Sequence, residues 1–318
     1  MMSNQGATGA GGHCDIVVCC YNHSAYIEKA ILSILQQDSD RLGTIHVCDD
    51  ASPDGTAARV AALIDSHGLQ GRVWLHARQT NVGPAINFRE AVQRIQSPFI
   101  GFLDGDDHWS HPSKLRYQLA LLDDHPSVVY CGHEYFFIDE QGVMQGVFPF
   151  ISGTEAILRP LPNNGELEQF ILNPDLLFTL NTCGFHMNAV VGRTTIMQQN
   201  LLAEWDDLKV GDWPWFWLTS EQGEVGFIKA QWAVNIKHNG SAFNDFSVVK
   251  RVVYIIQMLA RLRHSQNERN RVINDREVAN YVRVLQGMIG YFGAEEMIEF
   301  TQNIMSLNDD GLTTILLQ

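Results

Sequence analysis

The chain has 318 residues and a net charge of -14 at pH 7, from 22 Lys or Arg against 36 Asp or Glu. That balance excludes general nucleic-acid binding, which needs a basic footprint. With 45% hydrophobic and 18% charged residues, there is ample material for one large domain, alone or with a helical appendage.

Cys14, Cys19, Cys20, Cys48, Cys131 and Cys183 form no CxxC pair and no zinc-like spacing, so a reduced, cytoplasmic setting is expected in place of a disulfide framework. Residues 1–14 are mostly small and polar without an apolar h-region. They read as a flexible leader and not as a signal peptide. No run approaches the ~18 apolar residues of a membrane span.

In chain order, Asp15-Ile16-Val17-Val18-Cys19-Cys20 is a continuous apolar run, which predicts a buried parallel strand. Ile27, Ala30, Ile31, Ile34 and Leu35 then recur at helical spacing, with Ser24 as the expected N-cap. Ile45-His46-Val47-Cys48 predicts a second strand that ends in Asp49-Asp50. Ser52-Pro53-Asp54-Gly55-Thr56 turns into a helix carrying Val60, Leu63 and Ile64. Val73-Trp74-Leu75-His76 is a third strand, and Asn81-Val82-Gly83-Pro84 opens a third helix.

The stretch from Phe99 to Trp109 is the centre of the chain. Phe99 to Leu103 has the length and flanks of a buried strand, and Asp104, Asp106 and Asp107 follow at its carboxyl end. Ligands of open α/β sheets bind there. Crowded carboxylates are costly unless a cation neutralises them, and Mg²⁺ or Mn²⁺ takes oxygen ligands, often shared with phosphates. The acids read as a metal–diphosphate site; an acidic surface turn is the alternative. His108 and His111 read as surface loop residues.

Pro112 and Ser113 start a fourth helix, 127–131 is a short strand, and Asp139-Glu140-Gln141-Gly142 a hairpin turn. Gly226-Phe227-Ile228 and Trp232-Ala233-Val234 are two further strand candidates. From about 248 onward the pattern is helical. This alternation predicts an α/β fold: a mostly parallel sheet flanked by helices, with its acidic strand ends in one crevice. The expected organisation is a catalytic domain over 15–245 and a helical extension over 246–318. Residues 250–276 carry seven Lys or Arg against two acids, a solvated helical face or else a patch for anionic lipid.

Several motifs together resemble a family 2 glycosyltransferase of the GT-A (Rossmann-like) fold. They are Val17-Val18-Cys19-Cys20-Tyr21-Asn22, Val47-Cys48-Asp49-Asp50-Ala51-Ser52-Pro53-Asp54-Gly55-Thr56, Asn81-Val82-Gly83 with Asn87, and Phe102-Leu103-Asp104-Gly105-Asp106-Asp107. Trp109 with Lys114-Leu115 and Gln118 continues the pattern, followed by Gly211-Asp212-Trp213 and by His238 with Ser241. The family often has Pro-Thr at the Cys19-Cys20 position.

The resemblance implies an inverting, metal-dependent transfer of sugar from a nucleotide-diphosphate donor, UDP- or dTDP-type, to a saccharide or lipid-linked saccharide acceptor in bacterial surface glycan synthesis. It implies donor contacts from Cys19, Tyr21, Asn22, Asp49, Asp50, Asn81, Gly83, Asp104, Asp106, His238 and Ser241. Asp106 would ligate the metal, with Asp104 and His238 as further ligands, and Asp212 would be the general base. Trp213, Trp215 and Trp217 read mostly as core residues, with Trp213 or Trp215 as a candidate contact to the acceptor sugar. It also implies a cytoplasmic enzyme, free or at the inner face of the membrane. A sugar nucleotidyltransferase is disfavoured, because Tyr21-Asn22-His23-Ser24 lacks the glycines and cation of a phosphate loop. A silent nucleotide-sugar or glycan-binding module is disfavoured by the intact Asp104, Asp106 and Asp212 set.

Overall fold

The structure, a computed structural model, describes residues 12–148, 158–162, 167–172, 185–203, 206, 212–238, 248–266 and 268–288. Strands β1 (Cys14–Cys20), β2 (Leu42–Asp49), β3 (Val73–Ala77) and β4 (Phe99–Asp104) lie parallel in the order β3-β2-β1-β4. Helices α1 (Ile27–Leu35), α2 (Thr56–His67) and α3 (Pro84–Gln93) are the crossovers. Alternate residues of β1 serve opposite layers. Ile16, Val18 and Cys20 share a cluster with Ile27, Ile31 and Ile34 of α1, whereas Val17 joins Ala91 and Val92 of α3. Burial on both faces is why β1 and β4 read as unbroken apolar runs.

The remaining strands are β5 (His108–Trp109), β6 (Val128–Asp139), β7 (Met144–Phe148), β8 (Leu158–Pro160), β9 (Gln169–Leu172), β10 (Val191–Arg193) and β11 (Glu224–Lys237). Antiparallel β10 joins β4 to β6, β6 pairs parallel with β11, and β9 and β8 follow antiparallel. Short β5 pairs with β11, and β7 with the outer half of β6. The sheet is thus mixed and mostly parallel, with α4 (Lys114–Asp124), α5 (Thr194–Gln199) and α6 (Asp212–Ser220) packed on it.

Three local expectations are corrected. Ser24 does not cap α1: the N-cap is Tyr26, which makes no side-chain cap, and the Ser24 N–H is taken by Asp54 instead. The two strand candidates 226–228 and 232–234 are one strand, β11, whose pairing to β6 shifts register near Gln231; that irregularity breaks the apolar pattern. His108 is not a loop residue, since it opens β5. The helices α7 (Val248–Ser265) and α8 (Glu268–Met288) also share the core of the sheet. Val252, Ile256, Leu259 and Val278 join the cluster that holds Phe102 and Trp215. Among the described residues no helix is long and apolar enough to cross a membrane.

Candidate active site

Parallel registry brings three strand tips level. Cys20 of β1 pairs with Asp49 of β2, and Cys19 pairs with Asp104 of β4. The 49–56 loop and the 104–107 loop therefore flank the exit loop of β1, in the crevice where ligands of such sheets bind.

The first wall is two loops fastened together by side chains of the 49–56 segment. Asp49 accepts from the backbone N–H of Ser52 (3.1 Å) and from its hydroxyl. Ser52 Oγ in turn accepts from Asn22 N (2.9 Å), Thr56 Oγ1 from His23 N (3.0 Å) and Asp54 Oδ2 from Ser24 N (2.9 Å). Burial acts to raise the Asp54 pKa, but hydrogen bonds from Thr56 and Ser24 outweigh it and hold the carboxyl at about 2. Asn22 and Ala51 adopt left-handed φ values of 60° and 59°, a strained choice for alanine of about 1–2 kcal/mol. Tyr21, the residue just past the end of β1, is 43% exposed.

Asp50 is only 2% exposed. Its Oδ1 and Oδ2 accept from Val82 N and Gly83 N, each at 2.9 Å. Asn81 Nδ2 donates to the Asp50 carbonyl (3.0 Å), and Gly83 takes φ 88°, open to glycine but strained for other residues. Asp50, Asn81 and Gly83 thus form one network. Sequence reasoning missed its cation: Arg78 Nε lies 3.9 Å from Asp50 Oδ1 and donates to Asn87 Oδ1 at 3.1 Å, while its other end pairs with Glu90.

The second wall is the 104–107 loop. His238 Nε2 lies 2.9 Å from Asp106 Oδ2, and His23 Nε2 lies 3.6 Å from the same oxygen. Burial acts to raise the Asp106 pKa, but the His238 hydrogen bond and the two imidazole charges hold the carboxyl below its usual range. The same bond pushes the His238 pKa up, whereas burial pulls that of His23 down. Tyr26 stacks on His238 (ring centroids 5.1 Å apart) and donates its hydroxyl to Glu140 at the β6–β7 turn (3.2 Å). Gly105 lets this loop lie on β1: a Cβ there would stand 2.6 Å from Cys20 Cβ and 2.8 Å from His23 Nδ1.

Asp107 is buried and serves differently. Its carboxylate accepts from Asn188 Nδ2 (2.8 Å), Asn235 Nδ2 (3.0 and 3.2 Å) and Ile236 N (2.9 Å). Burial, with the charges of Asp106 and Asp104, pushes its pKa well above the usual range. His186, also missed from sequence, brings a ring nitrogen to a group with Asp104 and Asp107 whose ligand atoms lie within 4.8 Å of one another. Burial pushes the His186 pKa down to about 4, so its ring is neutral at neutral pH.

Asp212 is the first residue of α6; its side chain and Ser241 lie outside the described residues. Trp215 is 0% exposed, set edge-on between Phe88 and Phe102, with Nε1 donating to Met197 O (2.7 Å). It is core, which corrects the expectation of an acceptor contact there. Trp213 is only partly buried.

The acidic loop suits a hard divalent cation, since Asp104 and Asp106 bring carboxylate oxygens of the kind Mn²⁺ or Mg²⁺ takes. The three-residue group with ligand spacing among the described residues is Asp104, Asp107 and His186.

Residues 15–188 match the family model described as Glycosyl transferase family 2, and the chain belongs to that family. A relative in Bacillus subtilis, TuaG, assigned as a teichuronic acid biosynthesis glycosyltransferase, is 31% identical over 107 residues, covering 34% of this chain and 40% of TuaG. The chain spans less than half the length of the curated relatives it matches. Among solved structures, S. aureus TarS 1–349 in complex with UDP-GlcNAc superposes with a TM-score of 0.65 at 15% identity, covering 93% of this chain and 80% of that one. The mannosyltransferase PcManGT from Pyrobaculum calidifontis, in complex with GDP-Man and Mn²⁺, gives 0.53 at 13% identity, covering 96% and 84%. These likenesses show the shared fold.

Proposed function

We propose that this chain is an inverting, metal-dependent glycosyltransferase that moves a sugar from a nucleotide-diphosphate donor to a saccharide or lipid-linked saccharide acceptor. The observation that carries the proposal is the Asp106–His238 pair, 2.9 Å apart, at a strand tip level with the Asp49–Asp50 tip. Family membership supports it, and so does the sequence likeness to a relative assigned to teichuronic acid biosynthesis.

Tyr21 lies against the nucleobase in this reading. Each Asp50 oxygen accepts one backbone N–H and keeps a lone pair for an imide N–H, which favours a uracil or thymine base. Asp104 faces ribose or sugar. Asp106 and Asp104, with His238, would hold Mn²⁺ or Mg²⁺; when bound, the cation neutralises charge that develops on the departing diphosphate. Asp212 removes the proton from the acceptor hydroxyl as that oxygen attacks the anomeric carbon from the face opposite the leaving group.

A thermal-shift panel of nucleotide diphosphates and their sugars, with and without Mn²⁺, tests the proposal. One base class should raise the unfolding midpoint only with metal, and that donor should then be hydrolysed slowly without acceptor. Binding with no turnover under any condition would point to a silent binding module.

A further inference from the structure

The trio Asp104, Asp107 and His186 has the spacing of a metal site, yet the hydrogen bonds of Asp107 assign it another task. We propose that Asp107 is a positioning residue: it holds the acidic loop at a fixed distance from the end of β11, so that Asp106 and His238 face each other before any ligand arrives. This rests on the reading of the site above.

Three observations carry it. First, β5 runs antiparallel to β11 with His108 opposite Val234 and Trp109 opposite Ala233. Continuing that register by one residue sets Asp107 opposite Asn235, where the Asp107 carboxylate takes the Ile236 N–H (2.9 Å). The side chain thus prolongs the ladder that the loop backbone has left. Second, its partners come from two segments far away in sequence, Asn188 beside β10 and Asn235 on β11, three positions before His238. Third, both amides point their nitrogens at Asp107 while Oδ1 of each is buried with no hydrogen-bond partner among the described residues. Buried acceptors left open are costly, so the contacts to Asp107 dominate the orientation of both side chains. With its oxygens committed in this way, Asp107 is poorly placed to ligate a cation.

The test compares Asp107→Asn, Asn235→Ala and the double variant, with Asn188→Ala as a further route if Asp107→Asn does not fold. In metal-free protein, the imidazole ¹⁵N resonances of His238 should move toward those of a solvated ring in both single variants, and the double variant should move no further. Mn²⁺ binding, followed by electron paramagnetic resonance, should weaken about 10–100-fold in both singles, the usual loss when a group supporting a metal ligand is removed. An unmoved His238 resonance overturns the proposal. So does Mn²⁺ binding that is abolished by Asp107→Asn and untouched by Asn235→Ala, because that pattern marks a direct ligand. If the unaltered protein binds no Mn²⁺, the metal reading fails, and the His238 signature still decides whether Asp107 sets the geometry.

Discussion

His238 and Asp106 are 132 positions apart in the chain and 2.9 Å apart in the fold. The raised pKa of His238 and the lowered pKa of Asp106 describe one ion pair, and its pH window follows from their directions. The His238 share is fully present below the ordinary histidine value of about 6.5 and is lost as pH rises through the raised value. The Asp106 share is present above the ordinary aspartate value and is lost as pH falls through the lowered one. His238→Gln should therefore destabilise metal-free protein most between the ordinary aspartate and histidine values, about pH 4–6.5, and progressively less as pH rises through the raised His238 value. Urea unfolding of both proteins across that range checks this, and a pH-independent difference would mean that the pair carries no net charge interaction.

A metal ligand must shed its proton, so if His238 ligates Mn²⁺ as proposed, the cation competes with the proton on its ring. Mn²⁺ affinity should rise with pH through the raised His238 value and flatten above it. Isothermal titration at a series of pH values measures this, and the same series on His238→Gln should lose most of the slope.

Asp50→Asn replaces one acceptor oxygen with an amide that faces the backbone N–H of Val82 or Gly83. Losing a hydrogen bond to a charged, buried group costs about 1.5–3 kcal/mol. The loss should appear as a lower unfolding midpoint and as weaker nucleotide-diphosphate binding, since the 81–83 wall is released. Asp49→Asn should act on the β1 exit loop instead, through Ser52 and Asn22. Donor KM resolves the two if it is measured alongside stability.

Much of the parallel half was legible because both faces of β1 and β4 are covered, which leaves an apolar run with an abrupt acidic end. The same logic failed for β11. Its register slips against β6 near Gln231, and polar residues at the slip divide one strand into two apparent ones. The site was legible where its residues are contiguous, as in Asp104 to Asp107. Arg78, His186, Asn188 and Asn235 were invisible because their roles depend on pairings of strands remote in sequence. Asp107 itself was seen only as a third acid of a cation site, since sequence spacing does not tell a buried anchor from an open ligand.

Asp212→Asn tests the base assignment most directly. Transfer should fall by two to four orders of magnitude, roughly the contribution of a positioned general base, while nucleotide-sugar binding by calorimetry stays within about twofold. An equal loss of both would make Asp212 a structural residue at the start of α6, where an acid is also favoured by the helix dipole.

Lys114 gives a prediction independent of catalysis. It is fully buried, its Nζ donates to Gln118 Oε1 (2.7 Å) and lies 3.9 Å from the Trp109 ring centre. Burial pushes its pKa down to about 7, whereas the unfolded chain keeps it near 10.4. Between those values the unfolded state binds the extra proton, so the Lys114 contribution makes stability rise with pH. That gain should begin near pH 7 and level off near pH 10.4. In Lys114→Met this component disappears, although Gln118 Oε1 then lacks its donor, at a cost of about 1–3 kcal/mol. Stability curves of the two proteins from about pH 6 to about pH 9 should therefore diverge, with the original chain gaining on the variant as pH rises. Parallel curves would show that Lys114 stays charged in the core, held by the Trp109 ring and Gln118.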